Sequence, residues 1–264
     1  MFSKRCIIFL LFTFALTWVA WWILAYLAQA ELIKFQSAVG QVLFILGGSA
    51  PTIGAYVAIL LTSKEGSLKE FHSRVLKVKV GFPLYLYTIL VPVVIGLAGL
   101  GLVYLISFRY FETYTIQPLY LFVPFFFISI FMGGLEEFGW RGVLQPALTK
   151  KLNLFAANLV IGIVWALWHL PLFYIIGAHH HNKQFLFFTL GAIGYSSFMT
   201  WLYAKTNSVF LCVLFHASIN ATASIGLSVS MEATAVYPYN AVLIMLFGLF
   251  FLGIMQQQLR NRAS

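Results

Sequence analysis

Eight apolar stretches, each long enough to cross a bilayer as a helix, run through this chain near residues 6–29, 38–62, 82–108, 118–148, 152–177, 184–204, 208–228 and 239–257. A helix needs about 20 apolar residues to cover the hydrocarbon layer. Backbone groups in lipid must find their partners inside the segment, so such runs can only be helices. Charged side chains make up 9% of the sequence, against roughly 25% in a soluble domain. The expected fold is an all-α polytopic membrane bundle of about eight helices, one integral membrane domain over residues 1–264. No Ser-, Pro- or charge-rich stretch is long enough to act as a linker.

The first run follows Lys4 and Arg5 and ends near Ala28-Gln29-Ala30, which imitates a signal-peptidase site. It exceeds the roughly 7 to 15 residues of a signal-peptide core, so a retained helix is expected. With a cytoplasmic N-terminus, the inside segments hold Lys4, Arg5, Lys64, Lys69, Arg74, Lys77, Lys79, Arg141, Lys150, Lys151, Lys205, Arg260 and Arg262. Only Lys34, Arg109 and Lys183 of the 16 basic residues then fall outside. An odd number of crossings would spoil that asymmetry, so both termini are expected in the cytoplasm. The connection from Ser63 to Val80 becomes the main cytoplasmic loop, with Lys77 and Lys79 against anionic headgroups. Basic residues scattered between apolar runs do not form a nucleic-acid surface, and no nucleic-acid partner is expected. Membrane lipid is. Cys6 and Cys212 lie in apolar runs without CxxC spacing and read as small apolar filler.

The informative residues are the ionisable ones inside the spans, where each is costly unless paired or hydrated. They are Glu136, Glu137, Arg141, His169 and His216, joined by Asn220. Glu137 precedes Arg141 by four residues, the helical spacing at which acid and base meet. Glu136 points about 100° away from Glu137 and is left as the free carboxylate. The plainer alternative pairs both acids with Arg141. Gly133, Gly134, Gly139, Gly142 and Pro146 in this overlong fourth run suggest tight packing or a bend. His169 lies two residues before Pro171, which cannot donate to the Leu167 carbonyl, so a small hydrated pocket is expected there. His216 and Asn220 share one helical face.

Counting 1.5 Å of rise per residue from the presumed cytoplasmic ends puts Glu136, His169 and Asn220 roughly 20 to 27 Å deep and His216 roughly 14 Å deep. A carboxylate, two imidazoles and a carboxamide in one membrane layer suit water activation and polarisation of a carbonyl. Glu136, His169 and His216 are also an open zinc ligand set, and spacing does not decide between the two. His179, His180 and His181 read as a solvated external loop. Buried acids and histidines also build proton relays, yet the first three spans do not repeat the pattern, as the halves of a transporter would.

These three motifs, in this order and on separate helices, resemble the CPBP family of intramembrane peptidases, also called the Abi or CAAX-protease family, which includes the type II CAAX prenyl endopeptidases. The residues that match are Glu136, Glu137 and Arg141; Trp165 and His169, where the aromatic is commonly Phe; and His216 and Asn220. The resemblance implies a catalytic core over 118–228 and a protein or peptide substrate, prenylated in some relatives. It implies Glu136 and His169 as the water-activating pair, His216 and Asn220 as oxyanion stabilisers, and Glu137, Arg141 and Trp165 as support. It further implies a cavity reached from the cytoplasm, and it leaves open both glutamate-type and zinc chemistry. Some relatives are thought to act in bacteriocin immunity or regulation through partner binding, which is the alternative function.

Overall fold

A computed structural model describes residues 3–62, 67–108, 114–233 and 235–261, with the side chains of 259–261 left aside. Lys64, Arg109 and Arg262, used above to orient the chain, lie outside the described residues, as does the side chain of Arg260. The fold is all-helical: α1 Lys4–Gln29, α2 Ala38–Thr62, α3 Ser67–Val75, α4 Phe82–Ile106, α5 Phe122–Phe131, α6 Glu137–Gly139, α7 Gln145–Thr149, α8 Leu154–Trp168, α9 Phe185–Thr206, α10 Val209–Ser224 and α11 Tyr237–Asn261. Among the described residues, seven helical spans are long and apolar enough to cross a membrane, and α10 is a shorter apolar helix. The chain is a multi-pass integral membrane protein.

The connections sort into two ends, and each end is stitched together by its own hydrogen bonds. At one end Arg5 Nε donates to Thr62 Oγ1 at 2.9 Å, Arg74 Nη1 to Tyr203 Oη at 2.8 Å, and Ser208 Oγ to the Lys77 carbonyl at 2.7 Å. This end carries Lys69, Arg74, Lys77, Lys79, Lys150 and Lys151 and is called the basic end below. At the opposite end Gln29 Nε2 donates to the Tyr174 carbonyl at 2.7 Å, the Gln117 amide to the Ile225 carbonyl at 2.9 Å, and Tyr114 Oη to the Gly226 carbonyl at 2.5 Å. Segments 207–208 and 225–236 fall at different ends, so the 16-residue α10 does traverse the bundle. The segment from Ser63 to Val80 is more than a loop, since α3 is amphipathic and buries Phe71 and Val75 beneath the basic end.

Small residues let the first two helices approach closely, as packing in lipid requires. A Cβ on Gly54 would lie 2.5 Å from Thr13 Oγ1. Trp21 covers Gly47 and donates Nε1 to the Phe44 carbonyl at 3.0 Å. The core cluster takes in α1 through Cys6, Phe9, Trp21 and Leu24.

The overlong fourth span is broken as its glycines suggested. Helix α5 stops at Phe131, a 3₁₀ turn spans Gly134–Glu136, and a π-helical turn at Trp140–Leu144 follows α6. Such wide turns recur at functional sites. Gly139 sits against Phe9 and the Pro51 carbonyl, and Gly142 against Phe71, so the broken segment is wedged among α1, α2 and α3.

Candidate functional site

The break at Met132 and Gly133 turns the following residues into the middle of the bundle. Both acids of the pair are buried there, and they face different partners. Glu137 Oε2 accepts from Arg141 Nη1 at 2.7 Å, with both side chains fully buried, as the i, i+4 spacing predicts. Glu136 does not share that guanidinium. Its Oε2 accepts from Trp165 Nε1 at 2.9 Å and Trp140 Nε1 at 3.3 Å. Both bonds fall on one oxygen, and Oε1 has no protein partner among the described residues.

Glu137 has a second task that spacing did not reveal. Its Oε1 accepts from His216 Nδ1 at 2.8 Å, across 79 residues of sequence. One carboxylate thus holds Arg141 and the His216 ring together, and Arg141 Nη2 continues to Ser196 Oγ at 2.9 Å.

His169 is fixed by the end of its own helix. After Trp168 the chain tightens into the 3₁₀ turn Leu170–Tyr174, and the His169 amide bonds the Ala166 carbonyl at 3.0 Å. That leaves the Trp165 carbonyl to accept from His169 Nδ1 at 2.9 Å. A carbonyl can only accept, so Nδ1 carries the proton and Nε2 keeps its lone pair. The freed carbonyl used by the ring is that of Trp165, two residues before the Leu167 carbonyl expected from Pro171. Trp165 stands between the two histidines, its ring centroid 5.6 Å from His169 and 5.2 Å from His216.

Asn220 and His216 converge on one point. A Cβ placed on Gly133 would lie 2.5 Å from Asn220 Nδ2 and 3.2 Å from His216 Nε2. Both nitrogens therefore face the Gly133 Cα, and only glycine leaves the space open. An alanine at Gly133 would have to push Asn220 aside.

Glu136, His169, His216 and Asn220 all line one cavity of about 330 Å³, walled by Trp21, Phe44, Trp168 and Phe188. The histidine loop contributes to it, which corrects its reading as merely solvated. The His180 ring lies 5.7 Å from that of His169, 5.3 Å from Phe173 and 5.2 Å from Phe188. Burial pushes the His180 imidazole well below its ordinary pKa, and His169 and His179 act in the same sense, so it is neutral near pH 7. His179 lines the cavity mouth and is exposed.

Among the described residues no three His, Cys, Asp or Glu side chains form a group that could hold a metal ion. Glu136 Oε1, His169 Nε2 and His216 Nε2 are left free by the bonds above, but the three side chains do not come together as a ligand group. As arranged, the set Glu136, His169 and His216 does not fit zinc.

Residues 118–222 match the family model for type II CAAX prenyl endopeptidases of the Rce1-like kind. CAAX prenyl protease 2 of Methanococcus maripaludis is 26% identical over 228 residues, covering 81% of this chain and 82% of that protein. Lysostaphin resistance protein A of Staphylococcus haemolyticus is 25% identical over 221 residues, covering 79% of this chain and 57% of that protein.

Proposed function

We propose, from the match of residues 118–222 to the Rce1-like family model, that the chain is an intramembrane endopeptidase of the CAAX-protease kind and of the glutamate type, whose catalytic core spans 118–228. The observation that carries this reading is the convergence of His216 Nε2 and Asn220 Nδ2 over Gly133, in the cavity that also receives Glu136. Two N–H donors aimed at one point suit the oxygen of a tetrahedral intermediate, and the carboxylate supplies the base.

In the proposed cycle a water in the cavity gives a proton to Glu136 Oε1 while its oxygen attacks the scissile carbonyl carbon. His169 Nε2, free as an acceptor, orients that water. The carbonyl oxygen becomes an oxyanion and receives hydrogen bonds from Asn220 Nδ2 and from His216 Nε2. Donation from both His216 nitrogens requires the imidazolium, and the carboxylate of Glu137 lies against it as counter-charge. Glu136 then returns the proton to the leaving nitrogen as the C–N bond breaks. Trp165 and Trp140 aim the carboxylate, and Arg141 holds Glu137 in place.

The aromatic walls favour an apolar peptide segment at or in the membrane. The relative named a CAAX prenyl protease brings prenylated chains into the range of substrates, and the relative named for lysostaphin resistance brings the immunity or regulatory role. Comparing protein termini across membrane proteomes of cells carrying the wild type or Glu136→Ala, expressed equally, decides among them. New termini with the wild type alone are expected, and their sequences show whether a prenylated cysteine lies beside the cut. Identical termini with a persisting phenotype would sink the peptidase and leave partner binding.

Because the donor set does not fit zinc, dialysis against a strong chelator is expected to leave hydrolysis within about twofold of its starting rate. Catalytic zinc would instead be worth several kcal/mol, or more than about a hundredfold. Loss on chelation with recovery on adding zinc would overturn the glutamate-type reading.

A further inference from the structure

We propose that the cavity holds a second binding site, apart from the reacting groups, in which the Asn240 carboxamide and the Tyr195 and Tyr237 hydroxyls take a neutral peptide group. The site stands on the geometry of the cavity wall; that the peptide group belongs to a chain being cut rests on the peptidase reading above. Asn240 and Tyr237 lie beyond the residues 118–222 that match the family model.

Six buried side-chain atoms lack a hydrogen-bond partner among the described residues, and Asn240 Oδ1 alone of them belongs to a residue that lines the cavity. Buried polar groups are nearly always bonded, so one left open at a cavity calls for a ligand. Asn240 sits one turn into α11 and is 2% exposed. No bond to its Nδ2 occurs among the described residues either. The fold makes room for this side chain, since a Cβ on Gly99 of α4 would collide with Oδ1. With Oδ1 turned to Gly99 and sealed off, the end of the carboxamide that can meet a ligand is the donor Nδ2.

The two tyrosines stand beside it. A Cβ on Gly191 would lie 3.8 Å from Tyr237 Oη, and Tyr195 follows Gly191 by one turn of α9. Both rings line the cavity, and no hydrogen bond ties either hydroxyl to the protein among the described residues. Neither α9 nor α11 brings a Lys, Arg or His to the cavity. This wall therefore offers hydrogen-bond donors and no charge, which fits an uncharged carbonyl oxygen.

Spacing relates this site to the reacting groups. Thr222 packs on Gly96 of α4 and Asn240 on Gly99, three residues or about 4.5 Å further along that helix. Thr222 itself lies about 3 Å beyond Asn220 on α10. Helices α4 and α10 both start from the basic end, where Ser208 bonds the Lys77 carbonyl, so the two steps add. The Asn240 carboxamide is thus about 7 Å along the bundle from that of Asn220, the span of about two residues of extended chain. A peptide whose scissile carbonyl meets His216 and Asn220 presents a second carbonyl to Asn240.

Binding to the purified full chain carrying Glu136→Gln tests the site without hydrolysis. The probes are N-methyloctanamide, a peptide group on an apolar tail, and the branched alkane of the same shape. Tryptophan emission follows binding, because Trp21, Trp165 and Trp168 line the cavity. Adding Asn240→Ala is expected to weaken the amide about fivefold, the effect of one neutral hydrogen bond, and to leave the alkane unchanged. Tyr237→Phe, which removes one hydroxyl and keeps the ring, is expected to weaken the amide alone by about twofold to threefold. Both variants should melt with their parent, since neither group is bonded to the protein. An amide held as tightly after Asn240→Ala, or both probes weakened alike, would overturn the proposal. So would a clear fall in the melting temperature of Asn240→Ala, which would make Asn240 a structural residue, or failure of the parent to bind the amide. A failed termini comparison would remove the peptidase and leave this site standing, whereas a failed titration would remove the site and leave the peptidase.

Discussion

Glu136→Gln, purified and assayed on a substrate found by the termini comparison, is expected to turn over about 10³-fold more slowly with an unchanged melting temperature. The size follows from removing the group that takes the proton from water, since positioned acid–base catalysis contributes about 10² to 10⁴. The unchanged stability follows from shape. A glutamine oxygen can still accept from Trp165 and Trp140, so the two indoles that hold Glu136 Oε2 keep their partner. The amide cannot accept the proton. A fall in turnover with no rise in KM would place the loss in the transition state. Residual activity near the wild-type rate would mean that another group activates the water, and the assignment of Glu136 would be withdrawn.

Much of this arrangement was legible in the sequence, and the reason is local geometry. Lipid forces apolar runs into helices, so the span positions followed from hydropathy alone. The Glu137–Arg141 pair followed from i, i+4 spacing on one helix. That Glu136 would be the carboxylate left for the cavity followed from its angle to Glu137. The bond from His216 to Glu137 was not legible, since it joins helices 79 residues apart and depends on how they dock. Nor was the aim of the Trp165 indole at Glu136: resemblance marked Trp165 as an aromatic, a role that Phe commonly fills, while here its N–H does work that Phe cannot.

Two further misses share a cause. The three consecutive histidines looked like a polar external loop, and composition could not show that the turn after α8 folds His180 back against His169. The connection from Ser63 to Val80 looked like a topology determinant, yet Phe71 within it closes the basic end beneath Gly142. In both cases the structural role comes from one side chain that reaches back into the bundle, and hydropathy averaged over a window does not register it. The depth count put His216 one turn nearer the basic end than Asn220, as their shared helix requires, but it carried no information on which backbone would face the pair. The break at Gly133 brings that backbone against His216 and Asn220 together.

Arg141→Ala is expected to lower stability by roughly 3 to 5 kcal/mol, the usual cost of removing one partner from a buried ion pair. Arg141 is fully buried, as is Glu137, so the abandoned carboxylate would find no water to replace Nη1. Only the His216 Nδ1 bond would remain to it. On the usual scale of about 2 to 4 °C per kcal/mol for a chain of this size, the detergent-solubilised protein should melt about 10 °C lower and fold in lower yield. The double variant Arg141→Met with Glu137→Gln separates stability from chemistry. It removes both charges and fills the space with apolar volume, so most of the melting temperature should return, since such replacements are often neutral. Activity should not return with it, because a neutral amide offers His216 no counter-charge when the imidazolium must donate through Nε2. A single Arg141→Ala variant that melts with the wild type would show that Glu137 does not depend on this pairing. A double variant that recovers full turnover would show that His216 needs no anion beside it.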